Sequence, residues 1–580
     1  MKIKPDISVQ QDVPKFDRNF WDSNKRLSYI GTGSLGGKAQ SLAFINNILN
    51  SKLNASDFPQ IEVSIPTMVV LRTDVFDAFM KKNQLHKIIF SNLPDERISH
   101  EFQKADLPFE ILGDLRMLIS QVHSPLAVRS SSMLEDAMFE PFAGIYETKM
   151  TPNNQPDSDT RFHKLVEAIK FVFASTFFKS ARDYIKATEH SIEDEKMAVI
   201  IQEVVGQRHD KRFYPELSGV ARSYNFYPMG RVKPEEGIVN LALGLGKTIV
   251  DGGISWTYSP AYPKINPPYS SVGELLKKTQ INFWTVNMGK PPAYDPITET
   301  EYMLEENLTE AEKDGTLPNI ASTYNAASDR MSIGIGAMGP RVLTFAPILI
   351  LNKIPLNDLI KNLLKLCEEA VGAPVEIEFA MTFNPFRFGF LQVRPMVVST
   401  DKIEIKKEEL TGENVLVASE NVLGNGINNN LTDVVYVKPE SFEAKYTQRI
   451  ANDLENINQK LITNGCHYLL IGFGRWGSSD PWLGIPVNWG QVSGVKVIVE
   501  ATLDNMNVDL SQGSHFFHNL TSFKVSYFSV PFSGKYQIDW EWLDKQEIIE
   551  ETQFVRHARL SSPLQIKVDG RSGCGVINKF

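Results

Sequence analysis

Residues 375–395 read VEIEFAMTFNPFRFGFLQVRP. Side chains alternate along an extended strand, so Val375, Ile377 and Phe379 face one way and Glu376 and Glu378 the other. Asn384 and Pro385 supply a turn, after which Phe388, Phe390, Gln392 and Arg394 are expected on one face, with Leu391 and Val393 opposite. Paired as a hairpin, the two strands collect two carboxylates, an amide oxygen and a guanidinium on one surface. Oxygen ligands of this kind suit Mg2+, and an arginine fork suits the phosphate oxygens that the same metal bridges. The alternative is a half-exposed hairpin with a charged outer face, the commoner fate of such a pattern.

Working upstream, Gly31 to Lys38 (GTGSLGGK) leads into a helical pattern of Leu42, Ile45 and Leu49, which places Gly36, Gly37 and Lys38 at a helix entry. Glycine lets backbone approach an oxyanion, a helix start presents unpaired amides and lysine adds a charge, so a phosphate is the natural guest. The string is not a Walker A loop, because Thr32 and Ala39 stand where that motif has Gly and Ser or Thr. A literal GxGxxG at Gly31, Gly33 and Gly36 follows only a short polar strand and is weak by itself. A glycine-rich helix entry with an exposed lysine stays open. Gly244 to Thr248 (GLGKT) fails the Walker test at Leu241 and reads either as a simple turn or as a lid over a nucleotide. Arg129 ends the strand PLAVR before Ser130, Ser131 and Ser132, from where it can reach a phosphate or pair with Glu135 and Asp136. The patterns also place a strand at Ile65–Leu71, a helix capped by Thr73, a long helix over 162–186 and a central strand over 197–205.

The whole chain has 580 residues and 65.3 kDa, with 42% hydrophobic and 22% charged residues, which is ordinary globular usage and argues against a disordered or collagen-like chain. Its net charge of -9 and pI near 5.7 offer no overall field for nucleic acid or an anionic membrane, although a local anion site remains open. The greasiest run, Val342 to Leu351, is broken by Thr344 and Pro347 and is too short to span a bilayer. Cys367, Cys466 and Cys574 are odd in number and far apart, which leaves no disulfide framework or CxxC knuckle. A cytoplasmic protein is expected, with no membrane or nucleic-acid partner and an undetermined oligomeric state.

GGKAQSL, SIPTMVVLRTDVF, PLAVRSSSMLEDAMFEPFAGIYET, MAVIIQEVVG, LSGVA, GLG, VEIEFA and FLQVRP occur in the order of similar segments in phosphoenolpyruvate synthase and pyruvate phosphate dikinase. Residues 20–397 thus resemble the N-terminal ATP-grasp domain of that family. The resemblance implies a mixed α/β, α+β fold with ATP held between lobes at about 16–195 and 196–397. It implies phosphate binding by Lys38, Arg129 and Arg394, metal binding by Glu376, Glu378 and Gln392, and adenine near Gln202 and Glu203. Glu376 stands where the family usually has Asp.

A charged linker, 398–412, precedes a smaller α+β unit, 413–580, expected to carry a helix near 442–463 and strands at 495–500 and 524–530. Neither the family's swivelling histidine motif nor its barrel is visible in this sequence, and 413–580 is short for a barrel of about 250 residues. The loop Gly472, Gly474, Arg475, Gly477, Ser478, Ser479 and Asp480 either holds an anion or is a tight turn packed on tryptophans. His515 and His518 are candidate phosphoacceptors, with a structural histidine pair as the commoner alternative and a zinc site weaker again. The expectation is a Mg2+/ATP-dependent phosphotransferase of the dikinase type whose acceptor is a histidine, a phosphohistidine-carrying partner protein or a small molecule. An ATP-binding regulator without turnover and an ATP-grasp ligase are the rival readings.

Overall fold

The strands Val375–Phe383 and Phe386–Pro395 pair antiparallel, with Glu376 opposite Arg394 and Glu378 opposite Gln392. The expected polar face is therefore formed, with one departure. Register shifts after Glu378, so that Phe379 meets Phe390 and Leu391 is an extra residue on its strand. Such a bulge re-aims the side chains around it. Phe388 and Phe390 turn into the core, where Phe388 stacks on Phe379 at 4.7 Å, and do not share a face with Gln392 and Arg394 as alternation alone requires.

The computed structural model describes residues 13–580 apart from 18, 21–24, 90, 92, 134–143, 187–190, 194, 227, 229–230, 266–270, 397, 399–402, 479, 505, 507–515, 517–519, 521–522, 524 and 571. Over these residues the chain is α+β. The hairpin lies inside a six-stranded sheet ordered Trp256–Tyr258, Ile238–Ala242, Leu217–Arg222, Val375–Phe383, Phe386–Pro395, Glu62–Ser64. A five-stranded sheet is ordered Leu27–Ile30, Met68–Leu71, Met197–Glu203, Leu126–Ser132, Thr148–Thr151. The strand expected over 65–71 shortens to Met68–Leu71, and the preceding Glu62–Ser64 joins the other sheet. Pro66 separates the two, having no N–H to give to a ladder. The helix expected over 162–186 is divided into Ser158–Ser175 and Lys179–Lys186. At the division the Ser175 hydroxyl donates to the Val172 carbonyl and accepts from the Glu147 amide, a local side-chain competition that suits a helix end.

In the C-terminal part of the chain, strands Asn425–Val437, Tyr468–Phe473, Val495–Ala501 and Ser526–Val530 run parallel. Val555–Asp569, Cys574–Asn578 and Val415–Ser419 extend the same sheet antiparallel. Helix Thr447–Thr463 buries Ile450, Leu454, Ile457 and Leu461 at helical spacing and is the crossover between the first two parallel strands. Its core is continuous with that of the five-stranded sheet, since Phe76, Phe173, Tyr436 and Leu469 belong to one buried cluster. Among the described residues no helix is long and apolar enough to cross a membrane.

Candidate functional site

The glycine loop before helix Gly37–Lys52 is braced by side chains from two other segments. Thr32 N donates to Asp74 Oδ1 at 2.7 Å, Ser34 N to Thr73 Oγ1 at 3.0 Å and Ala39 N to Ser131 Oγ at 3.0 Å. Thr73, expected as a cap, is instead the first residue of helix Thr73–Lys82, and its hydroxyl serves the loop. Gly36 has φ 75°, and a Cβ there would fall 1.7 Å from the Ser131 carbonyl oxygen. The loop is seated directly on the serine run, and this aims Lys38, 6% exposed, into a cavity of about 290 Å³. Gly36 and Gly37 lie outside the lining of that cavity.

Lys38, Arg129, Gln202, Glu203, Glu378, Gln392 and Arg394 all line it, although they come from segments as far apart as residues 38 and 394. Arg129 links them. Its Nη1 donates to the carbonyl of the bulged Leu391 at 3.1 Å and to Gln202 Oε1 at 3.3 Å, and its Nη2 to Gln392 Oε1 at 3.0 Å. The acidic partners weighed for Arg129, Glu135 and Asp136, fall outside the described residues, as do His515, His518 and Ser479.

Glu376 stands one layer back. Arg222, Glu376 and Arg394 face each other on three neighbouring strands. Arg222 Nε donates to Glu376 Oε2 at 2.5 Å and Arg394 Nε to Oε1 at 2.6 Å, while the carboxylate is 2% exposed and absent from the cavity lining. Its geometry is that of a holder for Arg394, which does line the cavity. Glu378 lies in the lining, with Arg394 Nη2 at 3.4 Å from its Oε1. Among the described residues no cluster of three or more His, Cys, Asp or Glu side chains could hold a metal. Glu378 and Gln392, directly opposed across the ladder, still offer two oxygen donors. That fits Mg2+, which takes few protein ligands and completes its shell with phosphate and water.

Gln202 and Glu203 close the strand Met197–Glu203. Gln202 Nε2 is buried without a hydrogen-bond partner, and Glu203 accepts from the Ser124 hydroxyl at 2.8 Å. A buried amide donor left unpaired is costly unless a ligand completes it. The cavity's apolar wall follows directly, where Val204, Leu245 and Met303 pack as one cluster with Ala127.

The GLGKT segment also enters the lining. Lys247, on the short helix Lys247–Val250, lies 2.9 Å from both Asp251 Oδ2 and Glu299 Oε2. Burial works against its ammonium, but those two carboxylates more than offset it and raise its proton affinity. Glu147, Asp251 and Glu299 were not singled out from the sequence. Burial, reinforced by the like charge of Glu299, pushes the Glu147 carboxyl up to about 7. Only the match of Glu147 to the segment FAGIYET offered a signal for any of the three.

Residues 32–414 match the family model described as pyruvate phosphate dikinase, AMP/ATP-binding domain. An uncharacterized phosphotransferase of Bacillus subtilis (strain 168), YvkC, is 27% identical over 191 residues, 33% of this chain and 20% of that protein's length. The family match runs from the glycine loop past the metal-suited hairpin. On that extent, the chain belongs to the pyruvate phosphate dikinase AMP/ATP-binding domain family.

Proposed function

We propose that this cavity binds ATP with Mg2+ in the manner of an ATP-grasp site and that the chain is a phosphotransferase of the dikinase type. The observation that carries the reading is the convergence of Lys38, Arg129, Glu378, Gln392 and Arg394 on one cavity from separate segments. In this reading the adenine ring lies on the apolar wall of Val204, Leu245 and Met303, and the Gln202 amide donates to the nucleotide. Lys38, Arg129 and Arg394 neutralise the phosphate chain, with Arg394 held in place by Glu376. Mg2+ on Glu378 and Gln392 would supply charge neutralisation of the phosphate oxygens. Catalysis is then positioning and electrostatics, as phosphoryl transfer requires. The acceptor is a histidine, His515 or His518 or one on a partner protein, or a small molecule, and the setting is cytoplasmic.

Incubation with Mg2+ and ATP labelled at the β-phosphate, with and without pyruvate and beside a Glu378→Gln control, tests this. AMP together with labelled protein, absent from the control, is the expected result. ADP as the sole product would point to a ligase. Binding with no AMP and no labelled protein would instead favour a nucleotide-sensing module or an acceptor on a missing partner protein, which a partner pull-down then separates.

A further inference from the structure

The Gly/Trp loop of the C-terminal unit has no part in the chemistry above, yet it touches the wall of the nucleotide cavity. Arg475–Trp476 pairs in parallel with Gly484–Ile485, so closely that a Cβ at Gly484 would fall 1.9 Å from the Arg475 carbonyl oxygen. Trp476, 1% exposed, fixes the base of this ladder. From it, Arg475 Nη1 donates to the carbonyl of Gly252 at 2.8 Å. Gly252 directly follows Asp251, which lines the cavity with Val250 and Lys247.

The unit that carries Arg475 is fixed independently on the opposite side of the cleft. Trp489 stacks on Phe523 at 4.8 Å and 5°, and Phe523 packs on Tyr184 of helix Lys179–Lys186 at 4.9 Å. Lys179 of the same helix pairs with Asp183 at 2.7 Å and with Glu455, which also accepts from Gln491 at 3.0 Å. This helix shares its buried cluster with the sheet that carries Arg129. The C-terminal unit therefore spans from one wall of the cleft to the loop forming the other. On the inside, the same loop is tethered by Lys247 to Glu299.

We propose that the C-terminal unit, residues 413–580, is a strap across the nucleotide cleft and that Arg475 is a positioning residue holding the 244–253 loop closed, so that nucleotide leaves only when this contact opens. The release step rests on the cavity being the ATP site. The strap itself does not, and the test separates them. Hydrogen exchange of peptides covering 244–253 is measured on nucleotide-free wild-type, Arg475→Ala and Arg475→Gln proteins. These amides report opening because Val250, Asp251 and Gly253 N–H groups bond within the loop. Stopped-flow release of a fluorescent N-methylanthraniloyl ATP with Mg2+ and the melting temperature are measured in parallel. Arg475→Ala is expected to speed both loop exchange and nucleotide release about ten-fold, as befits loss of a charge-assisted hydrogen bond, with melting lowered by no more than about 6 °C. Arg475→Gln, which keeps a shorter donor, is expected between the two, and it replaces the alanine variant if that one does not fold. Unchanged loop exchange in a folded variant would overturn the strap, as would exchange that rises equally along Tyr468–Phe473, since that marks general loosening. Failure of the wild-type protein to bind the nucleotide would overturn the cavity's assignment and leave the exchange result to decide the strap.

Discussion

Replacing Glu376 by Gln separates a carboxylate that binds metal from one that holds an arginine. In the structure Glu376 lies between Arg222 and Arg394 and is 2% exposed, whereas Glu378 lines the cavity. Removing one partner of a buried ion pair costs about 3–5 kcal/mol, because the remaining charge is left uncompensated. The amide keeps the shape and some hydrogen bonding, so the lower end, about 3 kcal/mol, applies. At roughly 2–4 °C per kcal/mol for a cooperative unit of this class, Glu376→Gln lowers the melting temperature by about 6 °C or more. Glu378→Gln breaks only the long contact to Arg394 at 3.4 Å and is expected to cost under about 1 kcal/mol. The functional pattern is inverted. Glu378→Gln removes the Mg2+ dependence of nucleotide binding, while Glu376→Gln retains that dependence and weakens binding through Arg394. Calorimetric melting and nucleotide titration with and without Mg2+ read both effects. Equal melting losses, or a larger loss for Glu378→Gln, would refute the two-layer account of this face.

Gly36→Ala puts a Cβ 1.7 Å from the Ser131 carbonyl oxygen at a backbone position of φ 75°. The loop must leave the serine run, so titration is expected to show at least a ten-fold loss of nucleotide affinity while circular dichroism shows the wild-type secondary structure. The Glu147 carboxyl, raised from 4.5 to about 7, gives a pH signature. A carboxyl whose folded value is raised contributes stability that is fully present below about 4.5 and lost as pH rises through about 7, because the unfolded chain gives up its proton first. Wild-type melting should therefore fall relative to Glu147→Gln across that window, and affinity for an anionic nucleotide should fall as pH passes about 7, where the folded site gains a negative charge. Parallel profiles for the two proteins would count against this assignment.

Much of the site was legible because its chemistry lies on short segments with strong local rules. Alternation placed Glu378 and Gln392 on one polar face, and the glycine run located Lys38. The bulge at Leu391 was not legible, since an inserted residue changes pairing without changing composition. Nor was the grouping of Glu147, Asp251 and Glu299 around the cavity, for each is an ordinary acid in its own segment and only long-range packing brings them to one wall. Strand Asn425–Val437 escaped notice because its first half, NGINNN, is largely exposed and lacks the apolar alternation that marks a strand. The docking of the C-terminal unit was hidden for a related reason. Its contact residues, Tyr184, Trp489 and Phe523, lie on segments far apart in sequence that no local pattern joins.

The unequal lengths of the hairpin arms, nine residues in Val375–Phe383 against ten in Phe386–Pro395, have a consequence for exchanging parts between relatives. The supernumerary Leu391 acts as a spacer that lets one arm present phenylalanines inward near the turn and polar groups outward at its far end. A chimaera taking one arm from a protein without that spacer would carry every correct side chain and still invert half of them. The heritable unit at this place is the pair of strands with its turn, and segment swaps that cut between residues 383 and 386 should fail where swaps cutting outside 375 and 395 succeed.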